Sequence, residues 1–156
     1  MTTIKKTKEH RFHGFAGAHF KQELLGKYVK LKFQSSKDYF NIAIKNEASH
    51  AMFLHPLRVA VLNVEILRDN KTIKLKSQTF KKVIQRNENP NVYKNNMIKA
   101  NENRIIQFDF KLEPKDKISA VLGYYLVNPK IVDKLHLEND SEATKFYVLK
   151  KEFFTY

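Results

Sequence analysis

The feature that most restricts this chain's fold is a recurring period-two alternation of apolar and polar residues, with helical periodicity almost absent. In residues 27–33, Val29, Leu31 and Phe33 share one side while Lys30 and Lys32 take the other. Residues 38–45 place Phe40, Ile42 and Ile44 on one face, and residues 59–67 do the same with Ala60, Leu62, Val64 and Ile66. Ile73 and Leu75 alternate with Lys74 and Lys76. In residues 104–112, Ile106, Phe108, Phe110 and Leu112 oppose Gln107, Asp109 and Lys111. Successive side chains of a strand point to opposite faces, so such runs predict strands with one dry and one wet side.

Residues 118–127 are apolar on both faces and predict a central strand covered on both sides. Residues 145–156 predict a long terminal strand. Ser35-Ser36-Lys37-Asp38, Arg68-Asp69-Asn70-Lys71 and Glu113-Pro114-Lys115-Asp116 supply turns between the runs. About seven strands with short connections predict an all-β fold, an antiparallel sandwich of immunoglobulin-like type. Two stretches stand apart. Residues 87–103 are Asn-rich and contain Pro90, predicting a long exposed loop with a helical turn at 92–98. Residues 129–137 predict a short helix with its proline near the start and Ile131, Val132 and Leu135 on its apolar side. Residues 1–9 read as a flexible basic lead-in and 10–156 as a single domain.

The composition narrows the chemistry. The 156 residues include seven Tyr and twelve Phe, enough to build a core without disulfide or metal staples. There is no cysteine, which removes disulfides, thiolate metal ligands, a catalytic thiol and covalent haem attachment. No run approaches the roughly 18 apolar residues of a membrane helix, and residues 1–9 lack the apolar stretch of an export signal. The formal charge of +13 favours an anionic partner, whether nucleic acid, anionic membrane surface or acidic protein; lysines on solvent faces also discourage edge-to-edge strand pairing. Arg68, Lys71, Lys74, Lys76, Lys81, Lys82 and Arg86 form the densest basic run, with Phe80 interleaved. Phosphate contacts need such density and an aromatic can stack on a base, although no recognised nucleic-acid motif accompanies the run.

Five of the six histidines fall in two clusters: His10, His13 and His19 in a Gly- and Phe-rich segment, and His50 and His55 between two predicted strands. Imidazole titrates near neutrality and binds borderline metals through a neutral ring nitrogen. Each residue also has an ordinary reading: His50 as an inter-strand hydrogen-bond donor, His55 as a turn residue before Pro56, His10 as an exposed base. A sandwich could bring both clusters to one end. A copper or zinc site would need three or four converging ligands, and Met52 beside His50 and His55 favours copper over zinc. Haem iron is a further imidazole acceptor.

The run His10-x-Phe12-x-Gly14, then Gly17-Ala18-His19, then Asn46-Glu-Ala-Ser-His50-Ala-Met-Phe53 followed by Arg58, resembles a domain at the end of bacterial multihaem c-type cytochromes. The stretch Ala100-Asn-Glu102-Asn-Arg104 before an aromatic strand is similar as well. The resemblance spans about residues 10–127 and is specific at the two histidine motifs. Ser49 stands where that family tends to have Gly, and Leu54-His55-Pro56 replaces its Pro-Thr-Gly turn. The resemblance implies a sandwich packed on a haem-bearing segment, an extracytoplasmic or periplasmic home, and distal haem ligation by His10 and His50, with His19 next. No Cys-x-x-Cys-His is present, so any haem would come from another segment or from a partner, a cytochrome or other redox protein.

Catalysis receives little support. The chain has no Gly-x-Ser-x-Gly, phosphate loop, dinucleotide fingerprint or His-Glu-x-x-His. The reading at this level is a non-catalytic accessory domain of an electron-transfer protein. The alternative is a basic module for an anionic polymer or partner protein.

Overall fold

The computed structural model describes residues 26–52, 57–82 and 96–156. Among these, eight strands run in chain order: β1 (Val29–Ser35), β2 (Phe40–Asn46), β3 (Val59–Arg68), β4 (Lys71–Lys74), β5 (Gln78–Phe80), β6 (Asn103–Phe108), β7 (Lys117–Tyr125) and β8 (Phe146–Thr155). Two antiparallel sheets result, one ordered β1-β2-β6 and the other β4-β3-β7-β8, with β5 also pairing β3. The all-β, two-sheet class expected from the alternation is the class observed.

The apolar half of each alternating run points between the sheets. Phe40, Ile42 and Ile44 of β2, Ala60, Leu62 and Ile66 of β3, and Ile118, Ala120, Leu122 and Tyr124 of β7 have no exposed surface. Burying one large aliphatic side chain contributes roughly 1.5–3 kcal/mol, so these strands supply most of the driving force. The sheets are also stitched at one edge, where Phe33 of β1 stacks on Phe154 of β8 with ring centroids 5.3 Å apart.

β8 carries an irregularity that its sequence does not announce. Leu122 pairs with Lys150 but Gly123 pairs with Val148, so one extra residue bulges out of the strand. The bulge shifts the phase of the alternation: Tyr147 and Leu149 pack into the core before it, and Phe154 after it. Gly123 is required here, because a Cβ on it would lie 2.3 Å from the Phe146 ring. That ring partly screens the outer face of β7. Instead of a second covering layer, the outer residues Ser119, Val121 and Tyr125 remain half-buried, which corrects the expectation of a strand covered on both sides.

Other boundaries also move. The strand expected over 104–112 stops at Phe108, because the Phe110 amide turns back to the Phe108 carbonyl (2.8 Å) and the following segment wraps around a carboxylate. Asp116, 1% exposed, accepts from Arg68 Nε (2.9 Å), Arg68 Nη2 (2.7 Å) and the Glu113 amide (2.8 Å). Leu112 is nonetheless buried, as its position in the alternation predicts. The helix expected at 129–137 is two separate 3-10 turns, Pro129–Ile131 and Asp133–Leu135, and a four-residue helix, α1 (Ser141–Thr144), follows. Residues 96–98 are not helical, and Ile98 is a core residue with no exposed surface. The rest of the segment expected to hold a helical turn, 92–95, lies outside the described residues.

Candidate functional site at one rim of the sandwich

Strand register sets the ends of the long connections at one end of the fold. Val29 faces Asn46 and Lys45 faces Asn103, so β1 begins where β2 ends and β6 begins. In the other sheet Val59, Tyr125 and Phe146 stand side by side at the matching end. Residues 47–58, 81–102 and 126–145 therefore all connect strands across this rim. The chain also joins β1 here: Gly26 lies so close to β8 that a Cβ would sit 2.6 Å from the Leu149 carbonyl.

Asn46 organises this end. It has no exposed surface, and its Nδ2 donates to the carbonyls of His50 (2.9 Å) and Lys99 (3.0 Å), while Oδ1 accepts from the Ala48 amide (3.0 Å). Its own amide donates to the Glu102 carbonyl at 3.0 Å. A buried amide with every group satisfied fixes backbone geometry, because any rearrangement leaves a polar atom unpaired. Met52 closes the connection by donating its amide to the Ile98 carbonyl (2.9 Å). Next to it, Arg104 grips the Glu102 carboxylate and donates to the Met97 carbonyl (2.9 Å). The hydrogen bonds from Arg104 are the main reason the Glu102 carboxyl sits below its usual range. The stretches 46–52 and 98–104, far apart in the chain, are held in direct contact.

The structure places the expected site residues unevenly. His50 is exposed on the Asn46-pinned connection. His10, His13, His19 and His55 lie outside the described residues. The Met52 side chain is 9% exposed and packs in the main core. Among the described residues there is no group of three or more His, Cys, Asp or Glu able to hold a metal ion. No helix among the described residues is long and apolar enough to cross a membrane.

The basic run is drawn out along one edge of the second sheet. Arg68 and Lys71 pair with each other at the end opposite the rim, and Phe80, just before Lys81 and Lys82, pairs with Ala60 near the rim. Arg68 is engaged within the fold, by Asp116, Glu113 (3.1 Å) and the Phe110 ring (5.3 Å). Lys71, Lys74 and Lys76 are exposed, Lys81 and Lys82 half-buried, and Arg86 lies outside the described residues.

One feature of the rim was not singled out from the sequence. An open cleft of about 270 Å³ lies between the start of β3 and the 126–145 connection. Its lining includes the apolar side chains Leu57, Leu126 and Leu137 together with Arg58, Asp140 and Glu142. Arg58 is half-buried, and burial lowers its pKa, opposed in part by the phenol of Tyr124. Burial raises the pKa of Tyr124, which has no exposed surface and stacks on Tyr147. Arg58 and the two acids lie far apart in the chain and meet only through the fold, which is why the sequence alone did not mark them.

The fold is thus that of a two-sheet antiparallel β-sandwich with its long connections gathered at one rim. Among solved structures the chain is similar to a penta-haem cytochrome c552 from Thermochromatium tepidum, with a TM-score of 0.70 and 16% identity over 92% of this chain. The chain spans 43% of that cytochrome's length, under half. At this identity the likeness is one of fold. A Northeast Structural Genomics Consortium target aligns over 80% of the chain with 13% identity and a TM-score of 0.35. A GH3 β-glucosidase from Bifidobacterium adolescentis aligns over 82%, with 8% identity and a TM-score of 0.32. No protein-family model matches the chain. No curated protein matches it by sequence.

Proposed function

We propose that this chain is a non-catalytic accessory domain of an extracytoplasmic electron-transfer system of the multihaem cytochrome c kind, presenting histidines to a haem supplied by another segment or partner. The observation that carries the reading is the cytochrome c552 fold likeness, which covers nearly all of this chain and less than half of that one. In this reading the chain is a haem-free portion of such a system, in keeping with its lack of cysteine. In this reading residues 10–156 act as one unit.

The rim supports the assignment chemically. An Asn46 hydrogen bond fixes the His50 carbonyl, and a ligand carried on a fixed backbone loses less freedom on meeting iron. His10 and His19 precede β1 in the chain, and β1 begins at this rim. Copper or zinc is a weaker alternative, since it needs several of the histidines to converge.

Haemin titration of the purified chain tests the proposal. The expected outcome is a saturable Soret shift of histidine-ligated haem that is lost in the His10→Ala/His50→Ala double variant. Identical spectra for the double variant and the parent would overturn the ligand assignment.

A further inference from the structure

The cleft beside β3 holds opposite charges apart over an apolar lining, and that arrangement has a recognisable ligand chemistry. Arg58 is half-buried, yet among the described residues no carboxylate lies within ion-pair distance of it. Two carboxylates, Asp140 and Glu142, nevertheless line the same cleft. Asp140 is held back from Arg58 by its local role, since its Oδ1 accepts from the amides of Glu142 (2.9 Å) and Ala143 (3.1 Å) at the start of α1. Glu142 is exposed at the lip. A partly desolvated guanidinium is costly unless something satisfies its donors, and its lowered pKa reflects that cost.

We propose that this cleft binds a small zwitterionic amino acid with an apolar side chain. The α-carboxylate meets the Arg58 fork, the α-ammonium meets Glu142, and the side chain packs among Leu57, Leu126 and Leu137. A guanidinium suits a carboxylate because its parallel N–H donors match the two oxygens. At about 270 Å³ the space falls below the range of drug-sized ligands and suits one amino acid. A simple anion would leave the nearby carboxylates unbalanced, and a simple cation would leave Arg58 unmet; the zwitterion satisfies both. The inference does not depend on the haem reading, and haemin and amino-acid titrations fail separately.

The test is a chemical-shift titration of the full-length, nitrogen-15-labelled chain with L-leucine, 4-methylpentanoate (no ammonium) and 3-methylbutylamine (no carboxylate). Leucine is expected to shift the amides of Arg58, Val127 and Glu142 saturably, and to bind about tenfold more tightly than either analogue, as expected when one charge-assisted contact is missing. Arg58→Gln should erase the advantage over the amine, and Glu142→Gln the advantage over the acid, with far-UV circular dichroism confirming the sheet in both. Glu142 is exposed, so its variant folds even if the Arg58 one does not. Absence of saturable shifts, equal affinity for 4-methylpentanoate and leucine, or selectivity unchanged in the Glu142 variant would overturn the proposal.

Discussion

At the scale of single residues, Asn46 matters more than any histidine to the described rim. Its side chain satisfies three backbone groups across two separate segments and is itself fully enclosed. Truncation leaves those carbonyls and the Ala48 amide unpaired, at roughly 1–3 kcal/mol for the buried group left unsatisfied. Asn46→Ala should therefore lower the urea midpoint by an amount corresponding to about 2 kcal/mol and speed amide exchange at Ala48 and Met52; an unchanged midpoint would contradict the role given to this residue. Asn46 was legible only as part of a motif. That it joins two segments could not be read locally, because its partner Lys99 lies 53 residues away.

At the scale of elements, the strands were the most legible part of the protein, since alternation is a local consequence of pleating. β1, β2, β3, β7 and β8 form where the runs predict. β5 was missed: three residues are too few for a period to show, and the strand exists because Ala60–Leu62 of β3 offers it an edge. The bulge in β8 was hidden for a related reason, since it is defined only against its neighbour β7. It makes a sharp prediction about two adjacent phenylalanines. Phe153 is 67% exposed on the outer face, whereas Phe154 packs on the core and on Phe33. Phe153→Ala should change stability by less than about 0.5 kcal/mol, and Phe154→Ala should cost about 2–4 kcal/mol, measured by chemical denaturation. Equal costs would mean that the alternation does not shift phase at the bulge.

At the scale of the whole molecule, two charge pairs secure opposite ends of the sandwich: Arg104–Glu102 at the rim and Arg68–Asp116 at the far end. Both carboxyls titrate below their usual values, chiefly because an arginine hydrogen-bonds the ionised form. A carboxyl whose pKa is lower in the folded state contributes stability above its unfolded value, near 4, and loses it as pH falls through the folded one. The melting temperature should therefore be flat near neutrality and fall on acidification below about pH 4. Asp116→Asn should start lower at pH 7 and show a shallower acid slope. A parallel curve for that variant would remove Asp116 from the account. Asp116 lay in a predicted turn, but its burial depended on Arg68 arriving from another strand.

What the sequence by itself determined is the five long strands and the dry face of β1, β2 and β3. Those follow from side-chain order along a pleated backbone and need no partner to be specified. What only the tertiary structure decided is which connections share an end, where the bulge falls, that Met52 serves the core, and that Arg58 stands apart from the two acids lining its cleft. Each of these depends on contacts between residues distant in the chain, and such contacts come into being only when the two sheets close on one another.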